Sequence, residues 1–435
     1  MKLLFLPALA LGASRSFVDD AGVTHTTDKA APTVIGDVGD LLSLQHMGLP
    51  HAQVKGTYGE RCASGSNLNT YADWNANQAD FGDHNTAAHD PTKFPADPIT
   101  DEEKAMLAAT LDLTASCSST CYWCIGTPGG TEILQTLDAN DAWPDYIIQG
   151  AFSGSYPLTV DPHLLGNATA RGVKVIAIID IHNDATGAQS RPVDYIAVTK
   201  RYEELAIFLG ATTNLDNEKR ALCAEMNSFK ATAAAAASRG VRAMGILAPN
   251  GPVTDGVAKG AMYGANVDQV TMTLLELGMQ IYEQDATLGA WGADLDADAL
   301  PYGVDFWLVD ARAILDFTSD AFATSWPHPA VTAKQYATWL HGGWIHSYQH
   351  GTEILQIIGA ELAKASRLTD TSDCTVVADV TDPSYRVTSL GAGKYACPKP
   401  VETDWCLDYP SSTDSAYLAR PGVAVAAGAA VAALL

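Results

Sequence analysis

Three cysteines fall within eight positions, Cys117-Ser-Ser-Thr-Cys121-Tyr-Trp-Cys124. Their C-x3-C-x2-C spacing is one that holds three irons of an iron–sulfur cluster and leaves a fourth site open, provided the thiolates survive. His84 and His89, in Gly82-Asp83-His84 and Ala88-His89-Asp90, would complete a zinc site with those cysteines, although solvated loop residues account for them more simply. A third set is His341, His346 and His350, interleaved with Trp339, Trp344 and Tyr348. On a helix His346 and His350 share a face that a haem or metal reader would use, and ordinary packing is the expected role. No serine nucleophile elbow, H-E-x-x-H pair or phosphate-binding glycine loop occurs. No positive signal for catalysis is left outside the cysteine triplet.

The compartment weighs against that triplet. Met1 and Lys2 lead into an apolar run from Leu3 to Leu11 that closes on Gly12, Ala13 and Ser14, the pattern of a cleavable signal peptide. The run is too short to span a bilayer, which takes about 20 apolar residues. A secreted chain with eight cysteines is expected to form disulfides. Cys62, Cys117, Cys121 and Cys124 lie towards the front and Cys374, Cys397 and Cys406 towards the back; Cys223, alone in a helical stretch, reads as a buried free thiol. At the far end, Ser411, Ser412 and Thr413 precede a polar spacer to Pro421 and an apolar run from Gly422 to Leu435. That order matches a glycosylphosphatidylinositol attachment signal, whose tail is removed. Asn167-Ala168-Thr169 is a glycosylation sequon. The formal charge of −24 weighs against nucleic acid and anionic lipid as partners.

Stepping from residues to elements, Thr33 to Val38 reads as a strand, and Leu41, Leu42, Leu44 and Met47 as a helix stopped by Gly48-Leu49-Pro50. A second strand follows near Gln53 to Thr57. Regularity then disappears from Gly59 to about Pro98, which reads as a long insertion. Ile133, Leu134 and Leu137 restore a helix, and strands are expected at Tyr146 to Gln149 and Val173 to Ile179. The unbroken apolar character of the latter suits a parallel strand covered on both faces. Helices run from Pro192 to Leu209 and Leu215 to Arg239. The α/β alternation repeats with strand Val241 to Leu247, helix Asn266 to Leu277, and strands Met279 to Tyr282 and Asp305 to Val309, and helices end near Lys364.

Length and pattern give an α/β fold of two small lobes. The expected borders are a signal peptide at 1–14, an N-terminal lobe at 15–190 with a Cys-rich insertion at about 59–130, and a linking helix at 191–212. A C-terminal lobe at 213–370, a Cys-bearing stalk at 371–412 and a removed tail at 413–435 follow.

Four segments in this order resemble the class III, helix-linked periplasmic substrate-binding proteins of ABC importers for iron-siderophores, haem, cobalamin and metal ions. TVIGDVGDLLSLQHMGLPHAQVKGTYGE is similar to that family's opening strand, helix and second strand, and WPDYIIQGAF to the strand before a pocket loop. YGANVDQVTMTLLELGMQIYEQD resembles the second lobe's helix and turn, and GVDFWLVDARA the strand after it. The insertion, the number of cysteines and the C-terminal signal depart from the family and imply a eukaryotic surface-anchored form.

The resemblance implies a long helix joining the lobes and a ligand cleft between them, and in open α/β sheets ligands bind beyond the carboxyl ends of the strands. Those ends yield Tyr58, Glu60 and Arg61; Phe152 and Tyr156; His182 and Asp184; Asn250; and Asp310 and Arg312. Tyr263 precedes the second-lobe helix, and Trp291 lies where the resembled siderophore binders place an aromatic over the ligand. Tyr58, Arg61, Phe152, Tyr156, His182, Tyr263, Trp291 and Arg312 are the expected ligand-binding residues. Aromatic and guanidinium groups together suit a chelate with carbonyl oxygens. The expected function is capture of an iron(III)-siderophore at the cell surface for uptake with a membrane partner, with no resident cofactor and no structural metal. Two alternatives stand. A bare metal ion would use His182, Asp184, Glu60 and Asp310, and a haem or metal reader His346 and His350; a radical S-adenosylmethionine enzyme would use Cys117, Cys121 and Cys124.

Overall fold

The computed structural model describes residues 14–58, 62–63, 66–67, 105–106, 109–111, 113, 130–152, 162–181, 194–247, 259–263, 269–282, 295–296, 304–310, 328–339, 345–368, 375–377, 395–398 and 406. The chain enters through a hairpin, β1 (Arg15–Val18) and β2 (Thr24–Thr27). Apolar periodicity does not announce it, because each strand has four residues and most of them are polar. Asp19 builds the turn: its carboxylate accepts from the amides of Ala21 at 3.0 Å and Val23 at 2.8 Å, and lies 3.0 Å from Nε2 of buried His25.

β3 (Val34–Asp37) runs straight into α1 (Val38–His46), and the chain returns through Gly48 to β4 (Val54–Tyr58), parallel to β3. Gly48 has φ +90°, and a Cβ there would meet Thr213 Oγ1 at 1.7 Å, so no larger residue fits. A small ribbon, β5 (Cys62–Ala63) and β6 (Ser66–Asn67), belongs to the insertion. Helix α2 (Gly130–Ala139), β7 (Tyr146–Phe152), α3 (Pro162–Ala170) and β8 (Lys174–Ile181) complete the lobe as a parallel sheet of order β4-β3-β7-β8. One face is covered by Ile133, Leu137 and Ala168 of α2 and α3, the other by the core that Leu41 and Leu44 of α1 join. Burial on both faces accounts for the unbroken apolar run in β8. Both sheet edges are closed. The hairpin meets β8 through Asp20 N to Ala177 O at 3.1 Å, and Thr57 of β4 exchanges bonds of 2.9 Å with Leu111 and Leu113.

Helices α4 (Tyr195–Phe208) and α5 (Asp216–Ser238) lead into the second lobe. There β9 (Ala243–Leu247), β10 (Lys259–Tyr263), α6 (Gln269–Glu276), β11 (Ile281–Tyr282) and β12 (Leu295–Asp296) are followed by β13 (Phe306–Asp310), α7 (Pro329–Thr332), β14 (Tyr336–Trp339) and α8 (Tyr348–Lys364). β9 pairs in parallel with β11 and β13, and β13 with β14, while β10 and β12 add antiparallel.

The same device opens each lobe. Asp145, ahead of β7, accepts from the Thr33 amide ahead of β3 at 2.8 Å. Asp305, ahead of β13, accepts from the Arg242 amide ahead of β9 at 3.0 Å and from Leu368 N at 2.7 Å. The helix that follows each first strand also ends alike, with Leu49 N to Leu44 O at 2.9 Å and Met279 N to Leu274 O at 3.0 Å around Gly48 and Gly278, both at positive φ.

A linking helix was expected at 191–212. Two helices do the joining, and the longer is the second. With 23 residues, α5 is about 34 Å long. It starts beside Leu209, whose carbonyl accepts from Gln53 Nε2 ahead of β4 at 2.9 Å, and it ends just before β9. It therefore connects the amino-terminal edges of the two sheets. α8 lies along α5, with Arg239 donating to Leu362 O and Ala365 O at 3.1 Å each. One buried cluster runs from Phe17 and Tyr146 through Tyr202 and Phe229 to Phe306 and Leu308, so the lobes share a core.

Two expectations are corrected. Cys223 is not a free thiol: it is bonded to Cys406, 183 positions away with Cα atoms 5.5 Å apart. The stretch beyond Thr371 is not simply a stalk, since β15 (Thr375–Val377) and β16 (Tyr395–Pro398) extend the second sheet through β11. Cys117, Cys121 and Cys124 lie outside the described residues. Non-reducing peptide mapping should recover Cys223 and Cys406 in one cross-linked fragment. Cys406→Ser should lower stability by about 2–5 kcal/mol and speed proteolysis between residues 369 and 406.

Candidate functional site

Strand register decides which expected site residues come together. Asp37 pairs with Tyr58, and Phe152 with Ile181, so the carboxyl ends of all four strands of the first sheet form one edge. Tyr58 and Phe152 therefore occupy the same edge, and His182 follows Ile181 directly. In the second sheet Leu247, Asp310 and Trp339 are in register at the corresponding edge. Tyr263 lies differently: it closes the antiparallel strand β10 opposite Gly245, two positions short of Leu247. Arg61, Tyr156, His182, Trp291 and Arg312 lie outside the described residues, as do Glu60, Asp184 and Asn250. The carboxyl edges are the ends of the sheets opposite to those that α5 joins, and α1 and α6 are linked between the lobes.

A buried polar junction, which residue spacing did not announce, makes that link. The hydroxyl of Ser43 on α1 donates to Gly39 O at 2.7 Å and accepts from the His346 amide at 2.8 Å. His346 Nε2 lies 2.8 Å from Oε1 of Gln269, the first residue of α6. The imidazole stacks on Tyr202 of α4 at 5.1 Å, nearly coplanar at 6°, and packs on Tyr195 at 5.3 Å. The Tyr202 hydroxyl donates to Asp40 on α1. Tyr195 donates to Ile345 O at 2.6 Å and accepts from Ser347 N at 3.1 Å. His346 thus touches α1 in one lobe, α6 in the other, and the helix between them.

This revises the histidine expectation. Helix α8 begins at Tyr348 with Ser347 as its cap, so His346 precedes the helix and shares no helical face with His350. His346 is fully buried, and burial together with the neighbouring His350 pushes its pKa down to about 3. A neutral ring donating from Nε2 to Gln269 satisfies the geometry, and Nδ1 has no partner among the described residues. Its role is structural. Among the described residues no group of three or more His, Cys, Asp or Glu is placed to hold a metal ion.

No protein-family model matches the sequence, and no similar curated protein is found. The crystal structure of DesE, a ferric-siderophore receptor protein from Streptomyces coelicolor, superposes with a TM-score of 0.55 and 18% identity, covering 82% of this chain and 100% of that one. The chain has the helix-linked binding-protein fold. The iron uptake ABC transporter substrate-binding protein PiuA from Streptococcus pneumoniae matches at a TM-score of 0.45 and 12% identity, over 81% of this chain and 99% of its own. The petrobactin-binding protein YclQ from Bacillus subtilis matches at 0.45 and 13%, over 80% and 99%. These two looser superpositions carry no argument.

A second perturbed group, half-buried, lies at the end of α6 away from Gln269. Burial, reinforced by the nearby Asp194 carboxylate, pushes Glu276 at the end of α6 up to about 8. A folded-state pKa above the unfolded value of 4.5 means that the proton is held in the native state, so stability falls as pH rises from 4.5 towards 8. Glu276→Gln should therefore raise stability at pH 8 and leave it unchanged near pH 4. Allowing for its partial exposure, the gain is on the order of 1 kcal/mol, measurable as a thermal midpoint shift.

Proposed function

We propose that this chain is a secreted, cell-surface binding protein that captures a ferric siderophore or related chelate for iron uptake, and that it binds rather than catalyses. What carries the reading is the fold, matched along the whole length of a ferric-siderophore receptor. The edge that gathers Tyr58, Phe152 and the start of the segment bearing His182 supports it, because aromatic and polar positions at strand ends suit a small rigid chelate. The apolar amino-terminal run and the disulfide support a secretory route. The carboxyl-terminal pattern supports a lipid anchor. Tyr156, Arg61, Tyr263, Trp291 and Arg312 complete the proposed ligand contacts.

Capture of haem or of a bare ion is the competing chemistry, and titration separates the readings. Trp291→Ala and Arg312→Ala should each weaken binding of ferrichrome-type chelates roughly tenfold to a hundredfold, the equivalent of about 1–3 kcal/mol. His182→Ala should have little effect on the chelate. A protein that instead binds divalent metal ions, loses them in His182→Ala and ignores Trp291→Ala would overturn the chelate reading. Mass spectrometry of whatever small molecule is retained through native purification identifies the ligand directly.

The surface location has its own test. Phosphatidylinositol-specific phospholipase should release the protein from intact cells, and a mature peptide extending through Leu435 would exclude the anchor.

A further inference from the structure

We propose that His346 is a positioning residue that fixes the spacing of the two lobes, and that its protonation frees them, so that mild acid opens the proposed cleft. The identity of the cargo comes from the reading above; the opening itself does not depend on it.

The argument starts from where the contact sits. α1 follows β3 without a loop, so Asp40 and Ser43 lie in its first turns, next to the carboxyl edge of the first sheet. α6 runs back towards the start of β9, where Ile281 pairs with Ala243, so its first residue, Gln269, lies at the end nearer the opposite edge. His346 joins these two helix starts, through its amide to Ser43 and its ring to Gln269. Apolar packing resists separation without fixing direction, and other polar bonds in this layer, such as Tyr195 N to Thr273 Oγ1 at 2.9 Å, tie a single lobe to α4, whereas those at His346 reach from one lobe to the other. The hydrogen bonds at His346 have both length and angle.

Protonation is incompatible with this arrangement. A proton added to Nδ1 would place a charge and an unpaired N–H in a fully buried position, between two tyrosine rings. The titratable groups around the ring are Tyr195 and Tyr202 on α4, Asp40 on α1 at the Tyr202 hydroxyl, and His350 with Glu353 on α8; α6 presents the neutral Gln269. Among the described residues no carboxylate bonds the ring, so none of them compensates the charge. A state in which His346 reaches water recovers an ordinary histidine, and acid therefore draws the junction open.

Amide hydrogen exchange on the ligand-free protein, corrected for intrinsic pH dependence, tests this. Between pH 6.5, the ordinary histidine value, and pH 4.5, opening of segments 41–47, 269–275 and 345–351 should rise up to tenfold per pH unit. His346→Gln keeps a partner for Gln269 and cannot titrate; its opening should be flat with pH. Ser43→Ala should raise opening at every pH and keep the slope, so the test survives if His346→Gln fails to fold. His350→Gln should also keep the slope. Wild-type exchange with no excess slope, a slope that persists in His346→Gln, or one that disappears in His350→Gln would each overturn the proposal. None of these outcomes depends on a siderophore, so the chelate reading can fail while this one stands.

Discussion

A neutral imidazole held between two tyrosine rings governs how the two lobes relate to each other. Apolar burial brings the lobes together, because the core is continuous from Phe17 to Ala365, but burial is indifferent to small slides and rotations. His346 is not indifferent. Its amide is used by α1, its Nε2 by α6, and its ring by two tyrosines of α4. A slide of either lobe would leave Ser43, Gln269 or the Tyr195 hydroxyl buried without its partner, at about 1–3 kcal/mol for each group. The charge network on the outer side of α4 reinforces the same layer: Glu203 accepts from Lys219 of α5 at 2.6 Å and from the Tyr348 hydroxyl of α8 at 2.5 Å.

Much of this architecture is written locally. Tyr146 to Ile148 and Val175 to Ile179 are continuous apolar runs because their sheet is covered on both faces, and glycines at 48, 210, 240 and 278 end helices where positive φ is needed. Tyr58 and Phe152 end parallel strands of one sheet. What was illegible depends on distant partners. Ser43 meets His346 across 303 positions and Gln269 meets it across 77, and nothing in the spacing of His346, Ser347 and His350 anticipates either contact. Cys223 sits in a regular helix, so its pairing with Cys406 follows only from where the chain's end returns. β1, β2, β15 and β16 are three or four residues long, too short for alternation to stand out from ordinary loop sequence. Tyr263 was assigned by its place before a helix, and only the antiparallel pairing of β10 sets it back from the edge.

The two lobes also divide their tasks along the strands. Several bonds that fix the scaffold gather at the amino-terminal ends: Asp145 and Asp305 clamp adjacent strand starts, Gln53 ties β4 to the end of α4, and Gln335 bonds Asp305 O at 2.7 Å and Ser366 O at 2.8 Å. All but the bond to Ser366 O are buried or half-buried, and all use backbone partners. The carboxyl ends carry no comparable clamp among the described residues except at the His346 junction. Residues there can change type without disturbing the strands behind them. Strand ends in such a fold can vary while the spacing of the lobes is held at one buried histidine.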